Sequence, residues 1–288
     1  MTALLFPGQG SQMRGMGKDL FDEVREYAAV ESQVDAVLGY SMRRLCLEDP
    51  NNRLKETLYT QPALYVVNAL HYYRALSQGA RPQFLAGHSL GEYNALLAAG
   101  VFDFITGLRL VQRRGYLLSQ AKNGGMAAVL GLDSGRIAGI LRANGLASLD
   151  VANFNCRSQT VISGPADDIN RAAPIFERAG ATMCVPLQVS AAFHSRYMAG
   201  PAKQFGDFIA PFTFAAPRIP VVANVTGDLY PTVNPSEAVK SLLVKQITHS
   251  VRWSEIVRYL FARGETDLRE LGPGNVLSRL TQQIQQER

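Results

Sequence analysis

The sequence predicts an α/β protein in which a small ferredoxin-like βαββαβ unit interrupts a larger α/β domain. Two observations carry this reading. The apolar run Phe84-Leu85-Ala86 enters the turn Gly87-His88-Ser89-Leu90-Gly91 and continues into an apolar helix through Asn94, giving strand, sharp turn and helix. Further on, strand and helix signals follow one another in the order β-α-β-β-α-β, a self-contained pattern lying between two halves of something larger. Residues 124–190 are therefore expected to form an inserted subdomain, with 1–123 and 191–288 enclosing it.

The chain opens with Ala3-Leu4-Leu5-Phe6, an apolar strand ended by Pro7-Gly8-Gln9-Gly10-Ser11-Gln12. That turn lacks the Lys-Ser/Thr pair of a Walker loop. It also fails to complete G-x-G-x-x-G, because Met13 stands three residues after Gly10, so a nucleotide is not indicated. The glycines on either side of Gln9 instead leave its N–H free to serve an oxyanion if this strand lies beside the one leading to Ser89. Helical spacing of Leu20, Phe21, Val24 and Tyr27 predicts helices over 17–30 and 31–47, and Asn51-Asn52 breaks the pattern. A long apolar helix is expected to start at Thr60-Gln61 with Pro62 in its first turn, and another to cover 104–121 with Arg109, Arg113 and Arg114.

In the inserted unit, strands are expected at 126–132, 149–155, 159–164 and 181–187, with helices at 134–144 and 166–179. After it, a helix follows Met198, a strand covers 219–224, helices cover 235–246 and 251–263, a strand covers 266–271, and a terminal helix runs from 275.

The chain has 288 residues, 47% hydrophobic and 18% charged, the balance of an ordinary globular protein with ample core. Its formal charge is +5, and no basic run is denser than pairs such as Arg43-Arg44, which argues against a nucleic-acid tail and suits an acidic partner. The three cysteines Cys46, Cys156 and Cys184 are far apart and odd in number, so neither a disulfide framework nor a zinc site follows. The N-terminus does not read as a signal peptide and no stretch approaches a membrane span, so a cytoplasmic protein is expected.

Ser89 in G-x-S-x-G is a candidate nucleophile, since a serine in such an elbow sits at a helix N-terminus where negative charge develops. The pentapeptide alone is equally a simple helix cap. A serine nucleophile needs a base. His88 adjoins Ser89, but neighbours at a tight turn point apart, so a structural hydrogen bond suits it better. His71 is mid-helix and His249 lies in the polar loop Thr248-His249-Ser250. His194, in a loop-like segment between Phe193 and Ser195, is the best candidate, with helix capping as the other reading.

The segments Phe6–Gln12, Gly87–Tyr93, Gln112–Gly115, Asn153–Asn155, Val161–Gly164, Ala192–Ser195 and Leu271–Gly274, taken in order, resemble the malonyl-CoA:acyl carrier protein transacylase family over essentially the whole chain. The segment Val189–Met198 further resembles the stand-alone acyltransferases that serve polyketide synthases.

The resemblance implies an α/β-hydrolase-like large domain and a dyad of Ser89 as nucleophile with His194 as base. It implies backbone N–H groups of Gln9 and Leu90 as oxyanion donors, and main-chain groups of Gln246 and Asn224 orienting the imidazole. It points to Arg114 as the partner of the malonyl carboxylate, a match of planar fork to carboxylate, although alone Arg114 would read as a solvated helix residue. Phe193 and His88 are placed at the acyl pocket. Phe193 fits the malonyl pattern, while Ala191 replaces a common histidine and leaves the choice of acyl unit open.

Substrates would be malonyl-CoA and a phosphopantetheinylated acyl carrier protein, with no bound cofactor or metal, no nucleic acid, no membrane and a monomeric state. The same chemistry could serve fatty-acid synthesis. A thioester hydrolase with the same dyad is an alternative, one that does not need Arg114. A docking protein without chemistry is another, and the intact Ser89, His194 and Arg114 speak against it.

Overall fold

The computed structural model describes residues 2–287. Strand β1 (Thr2–Phe6) is apolar on both faces because it lies inside a sheet covered on both sides. The next segment is broken. Helices α1 (Leu20–Glu23) and α2 (Arg25–Ala28) replace the expected single helix over 17–30, since Val24 between them is extended. Helices α3 (Glu31–Leu38) and α4 (Met42–Glu48) replace the one over 31–47. Gly39 turns left-handed at φ 80° after α3, and the Ser41 side chain caps α4 by accepting from the Arg44 N–H.

Helix α5 (Thr57–Ser77) begins three residues earlier than expected, so Pro62 sits beyond its first turn. Then come β2 (Phe84–Gly87), α6 (Gly91–Ala98), α7 (Phe104–Gln120), β3 (Gly124–Leu130), α8 (Ser134–Ala143), β4 (Asp150–Cys156), β5 (Gln159–Pro165), α9 (Ala166–Arg178) and β6 (Met183–Pro186). The chain closes with α10 (Ala199–Ile209), β7 (Val221–Val222), α11 (Pro235–Gln246), α12 (Trp253–Ala262), β8 (Asp267–Glu270) and α13 (Val276–Gln286). The strand expected at 219–224 is cut to two residues, which pair with Leu85 and Ala86 of β2 and, on the other side, bridge to Leu229.

Two sheets organise these elements. One is parallel, in the order β7-β2-β1-β8, with Phe6 in register with Gly87. Alternation along β1 divides its side chains. Leu4 and Phe6 face the layer containing α5 and α6, while Ala3 and Leu5 face Trp253, Ile256, Leu260 and Leu277 of α12 and α13.

The other sheet is antiparallel, in the ferredoxin-like order β4-β5-β3-β6. Ala127 and Val129 of β3 pack under α8 and α9 against Ile137, Ile169 and Phe176. Met126 and Ala128 point the other way, toward Ala152, Val161 and Phe193. Where the chain leaves and rejoins the larger unit, the Gly124 N–H donates to Ser190 O at 3.2 Å. A Cβ on Gly124 would sit 2.3 Å from the Ala192 nitrogen, so only glycine lets the two segments approach. The small sheet is also stitched to the large unit through Val251, whose N–H donates to Ala152 O and whose O accepts from the Phe154 N–H, both at 2.9 Å. Among the described residues no helix is long and apolar enough to cross a membrane.

Candidate active site

The elbow forms because two strands deliver two loops to one point. β1 ends at Phe6 beside Gly87, so Pro7-Gly8-Gln9 runs alongside His88-Ser89-Leu90, as the oxyanion reading required. The His88 N–H donates to Phe6 O at 2.9 Å, and the Asn68 Nδ2 of α5 donates to Pro7 O at 2.9 Å. A Cβ on Gly91 would lie 2.0 Å from Phe6 O, so this crossing needs glycine. Ser89 is held at φ 50°, a costly backbone for serine that over-determined surroundings must maintain. No acceptor among the described residues takes the Gln9 or Leu90 N–H. Both donors thus stand free beside Ser89 in one cavity of about 90 Å³, which Arg114, Phe193 and His194 also line.

His194 comes from the far end of the chain, in the loop expected of it, also with positive φ at 57°. Its Nε2 lies 2.8 Å from Ser89 Oγ. Its Nδ1 lies 2.8 Å from Gln246 O and 3.2 Å from His249 O. Carbonyl oxygens only accept, so Nδ1 carries the proton and the Nε2 lone pair faces the serine hydroxyl. Burial first, then the Arg114 charge, pushes the His194 pKa down to about 3, against the pull of the two carbonyls, and the ring is neutral at pH 7.

The Gln246 main chain thus faces the imidazole, whereas that of Asn224 does not. The Asn224 main chain is turned away from the imidazole. Its N–H donates to Glu92 Oε1 at 2.9 Å, and its O accepts from the Arg252 N–H at 3.0 Å. Its side chain braces the elbow instead: Oδ1 accepts from the Ser89 N–H at 2.7 Å and Nδ2 donates to Gly87 O at 2.6 Å. The second carbonyl on His194 belongs to His249, which the sequence placed merely in a polar loop.

Arg114 is not a solvated helix residue. It is 2% exposed, with its guanidinium over the Tyr93 ring at 5.7 Å from the centroid. Nη1 donates to Gln61 Oε1 at 2.8 Å, while Nη2 donates to Gln246 Oε1 at 2.9 Å and to Ser89 Oγ at 3.2 Å. Burial lowers its pKa, opposed mainly by Tyr93 and Glu92. A cation so placed beside the nucleophile is a seat for an anion.

His88 lines the same cavity, and its ring is tilted against Trp253 at 5.5 Å between centroids. Its Nε2 lies 2.9 Å from Asn155 Oδ1, and burial lowers its pKa. Phe193 lines the cavity too, packed between the large core and the face of the small sheet carrying Met126 and Val161.

Sequence reading passed over Glu92, Gln61, Tyr230 and the Gln246 side chain. Glu92 carried a signal, a carboxylate amid the apolar pattern of α6. It is 1% exposed and its pKa is raised to about 7 by burial, against hydrogen bonds from Asn224, Gln246 and Tyr230. Among the described residues no group of three or more His, Cys, Asp or Glu could hold a metal.

Comparison with known proteins agrees with this architecture. Residues 3–286 match the acyl transferase domain family. The polyketide biosynthesis malonyl CoA-acyl carrier protein transacylase BaeC of Bacillus velezensis is 49% identical, over 100% of this chain and 98% of its own. The crystal structure of a malonyl CoA-acyl carrier protein transacylase from Burkholderia pseudomallei superposes with a TM-score of 0.94 at 47% identity, covering 100% and 99% of the two chains. A malonyl-transacylase solved in complex with its type II polyketide synthase acyl-carrier protein superposes with a TM-score of 0.92 at 35% identity, covering 98% and 92%. With the elbow, the imidazole and the buried guanidinium on one cavity, the chain belongs to the acyl transferase domain family, among the malonyl CoA-acyl carrier protein transacylases.

Proposed function

We propose that this acyltransferase moves a malonyl group from malonyl-CoA to the phosphopantetheine thiol of an acyl carrier protein, through an ester on Ser89. The observation that carries the reading is that Ser89 Oγ meets His194 Nε2 at 2.8 Å and Arg114 Nη2 at 3.2 Å in one half-buried spot. A general base and a carboxylate-binding cation thus converge on one hydroxyl.

In the first half-reaction Ser89 Oγ attacks the thioester carbonyl carbon and its proton passes to His194 Nε2. The carbonyl oxygen becomes an oxyanion held by the N–H groups of Gln9 and Leu90. Collapse breaks the C–S bond, and His194 returns the proton to sulfur, releasing CoA-SH. In the second half the carrier thiol gives its proton to His194 and attacks the ester, and Ser89 Oγ regains a proton as it leaves. Arg114 orients the malonyl carboxylate. Neutralising the guanidinium also removes a charge that depresses His194, so the carboxylate improves the base that acts on it. Phe193 and His88 shape the wall of the acyl pocket. The steps as written consume one malonyl thioester and one carrier thiol and return CoA-SH and a malonyl-carrier thioester.

The polyketide setting of BaeC and the look of Val189–Met198 favour a stand-alone enzyme supplying a polyketide synthase in the cytoplasm. The net charge of +5 suits an acidic carrier. Intact mass after incubation with malonyl-CoA or acetyl-CoA tests the chemistry. A malonyl adduct absent from Ser89→Ala, with little acetyl adduct, is expected. Steady CoA release without adduct or carrier acylation would replace transfer by hydrolysis.

A further inference from the structure

Glu92 takes part in none of these steps, yet it is buried one hydrogen bond away from Gln246, which touches several of their residues. Its Oε1 accepts from the Asn224 N–H and the Tyr230 hydroxyl, each at 2.9 Å, and its Oε2 accepts from Gln246 Nε2. Gln246 in turn touches everything that matters. Nε2 also donates to Ser89 O at 2.9 Å, Oε1 accepts from Arg114 Nη2 at 2.9 Å, and its main-chain O holds His194.

A carboxamide can present its oxygen or its nitrogen to a given neighbour. Only one of the two flips of Gln246 offers Arg114 an acceptor. The other would turn an NH₂ group toward a guanidinium, donor against donor, between two buried side chains. On the opposite side the amide meets Glu92, which as a carboxylate accepts three hydrogen bonds and donates none, and so requires the NH₂ there.

We propose that Glu92 is a positioning residue for acyl selectivity: its carboxylate fixes the flip of the Gln246 amide and thereby the seat of Arg114. A glutamine in its place has the same shape but cannot satisfy Asn224 N–H, Tyr230 and Gln246 together. Either Gln246 flips and Arg114 loses its acceptor, or the new amide flips and the Asn224 N–H loses its own. Malonyl transfer, which needs the fork in register, suffers in either case, whereas an acetyl group makes no contact that depends on the fork. The proposal rests on the reading of Arg114 as the carboxylate partner.

The test is kcat/KM for malonyl-CoA and acetyl-CoA in the wild type, Glu92→Gln, Arg114→Ala and the double variant. Glu92→Gln is expected to lower the malonyl-to-acetyl ratio about tenfold or more, the scale of a lost hydrogen bond to a charged group. Arg114→Ala is expected to lower it further, and adding Glu92→Gln to Arg114→Ala to change it no more. If Arg114→Ala shifts the ratio while Glu92→Gln slows both substrates alike, Glu92 only supports the fold and the proposal is overturned. If Arg114→Ala leaves the ratio unchanged, the Arg114 reading itself fails. Should Glu92→Gln not fold, Gln246→Met replaces it, since it removes the amide whose flip matters. The ratio should then fall by a similar factor, and an unchanged ratio overturns the proposal.

Discussion

Ser89 and His194, whose side chains meet at 2.8 Å, both hold left-handed backbones, at φ 50° and 57°. The other described non-glycine residues with positive φ are Asp49, Asn51, Asn52, Asn123 and Asn234, types that tolerate this region. Histidine is also among those types, so Ser89, the residue proposed to be the nucleophile, is the exception. Such backbones cost about 1–3 kcal/mol each and persist where surrounding structure enforces them.

Replacing Ser89 separates that strain from the chemistry. Ser89→Thr keeps a hydroxyl but places a branched Cβ in the left-handed region. It is expected to unfold at lower denaturant than Ser89→Gly, by about 1–3 kcal/mol in unfolding free energy, although the glycine variant forms no malonyl adduct. Equal midpoints in urea titrations would remove strain from the account.

The crossing of the two loops predicts a contrast between glycines. Gly91→Ala drives a Cβ to 2.0 Å from Phe6 O and should cost 3 kcal/mol or more, roughly the upper range of overpacking. Gly139 lies within α8, where an added Cβ meets nothing within 4 Å. Gly139→Ala should therefore stabilise by about 0.5–1 kcal/mol. Thermal melts of both variants check the pair.

Arg114 is expected to act on the substrate and on the base together. Arg114→Ala should lower kcat/KM for malonyl-CoA by about 10²–10³-fold, the scale of breaking a buried charge pair. It should also relieve the charge that depresses His194, so residual acetyl transfer is expected to hold or rise. A parallel fall for both thioesters would count against the carboxylate role.

Stability should fall in mild acid. His194 and His71 are lowered from 6.5 to about 3 and about 4, and His88 is lowered as well, all mainly by burial. The unfolded chain binds protons near pH 6.5 that the folded one refuses. Their contribution is thus complete above 6.5 and is lost as pH falls toward the folded values. Glu92, raised from 4.5 to about 7, works in the opposite sense, losing stability as pH rises through that window. His194 and His71 together outweigh one carboxylate by roughly 1.5 kcal/mol between pH 6.5 and 5.0, and His88 adds to the loss in the same direction. Denaturant midpoints at the two values measure it.

The elbow, the glycine-flanked Gln9 loop and the βαββαβ unit were legible because each is local. Their chemistry is written in consecutive residues, and Gly87, Gly91 and the alternation of Ala127 and Val129 follow directly from it. His194 was legible by elimination among four histidines. Of its carbonyl partners, Gln246 was named only through the family resemblance and His249 not at all, because any residue has a carbonyl and only the path of the chain after α11 brings these two to the ring. Asn224 was placed correctly near the site and wrongly in function, since its side chain and not its main chain does the bracing. Short helices over 17–47 were merged because hydrophobic spacing registers neither the extended Val24 nor the left-handed Gly39.

The seam at Val251 has a mechanical consequence. Two main-chain hydrogen bonds tie this residue to β4 of the small sheet, and two positions earlier the same strand of chain carries the His249 carbonyl on the imidazole. Swinging the small sheet away along this edge would tear the ladder and pull on the base in the same movement. The doubly bonded edge is thus tied to the base, whereas the opposite rim, where Leu187 and Val189 border the cavity, can shift without pulling on His194 through this ladder.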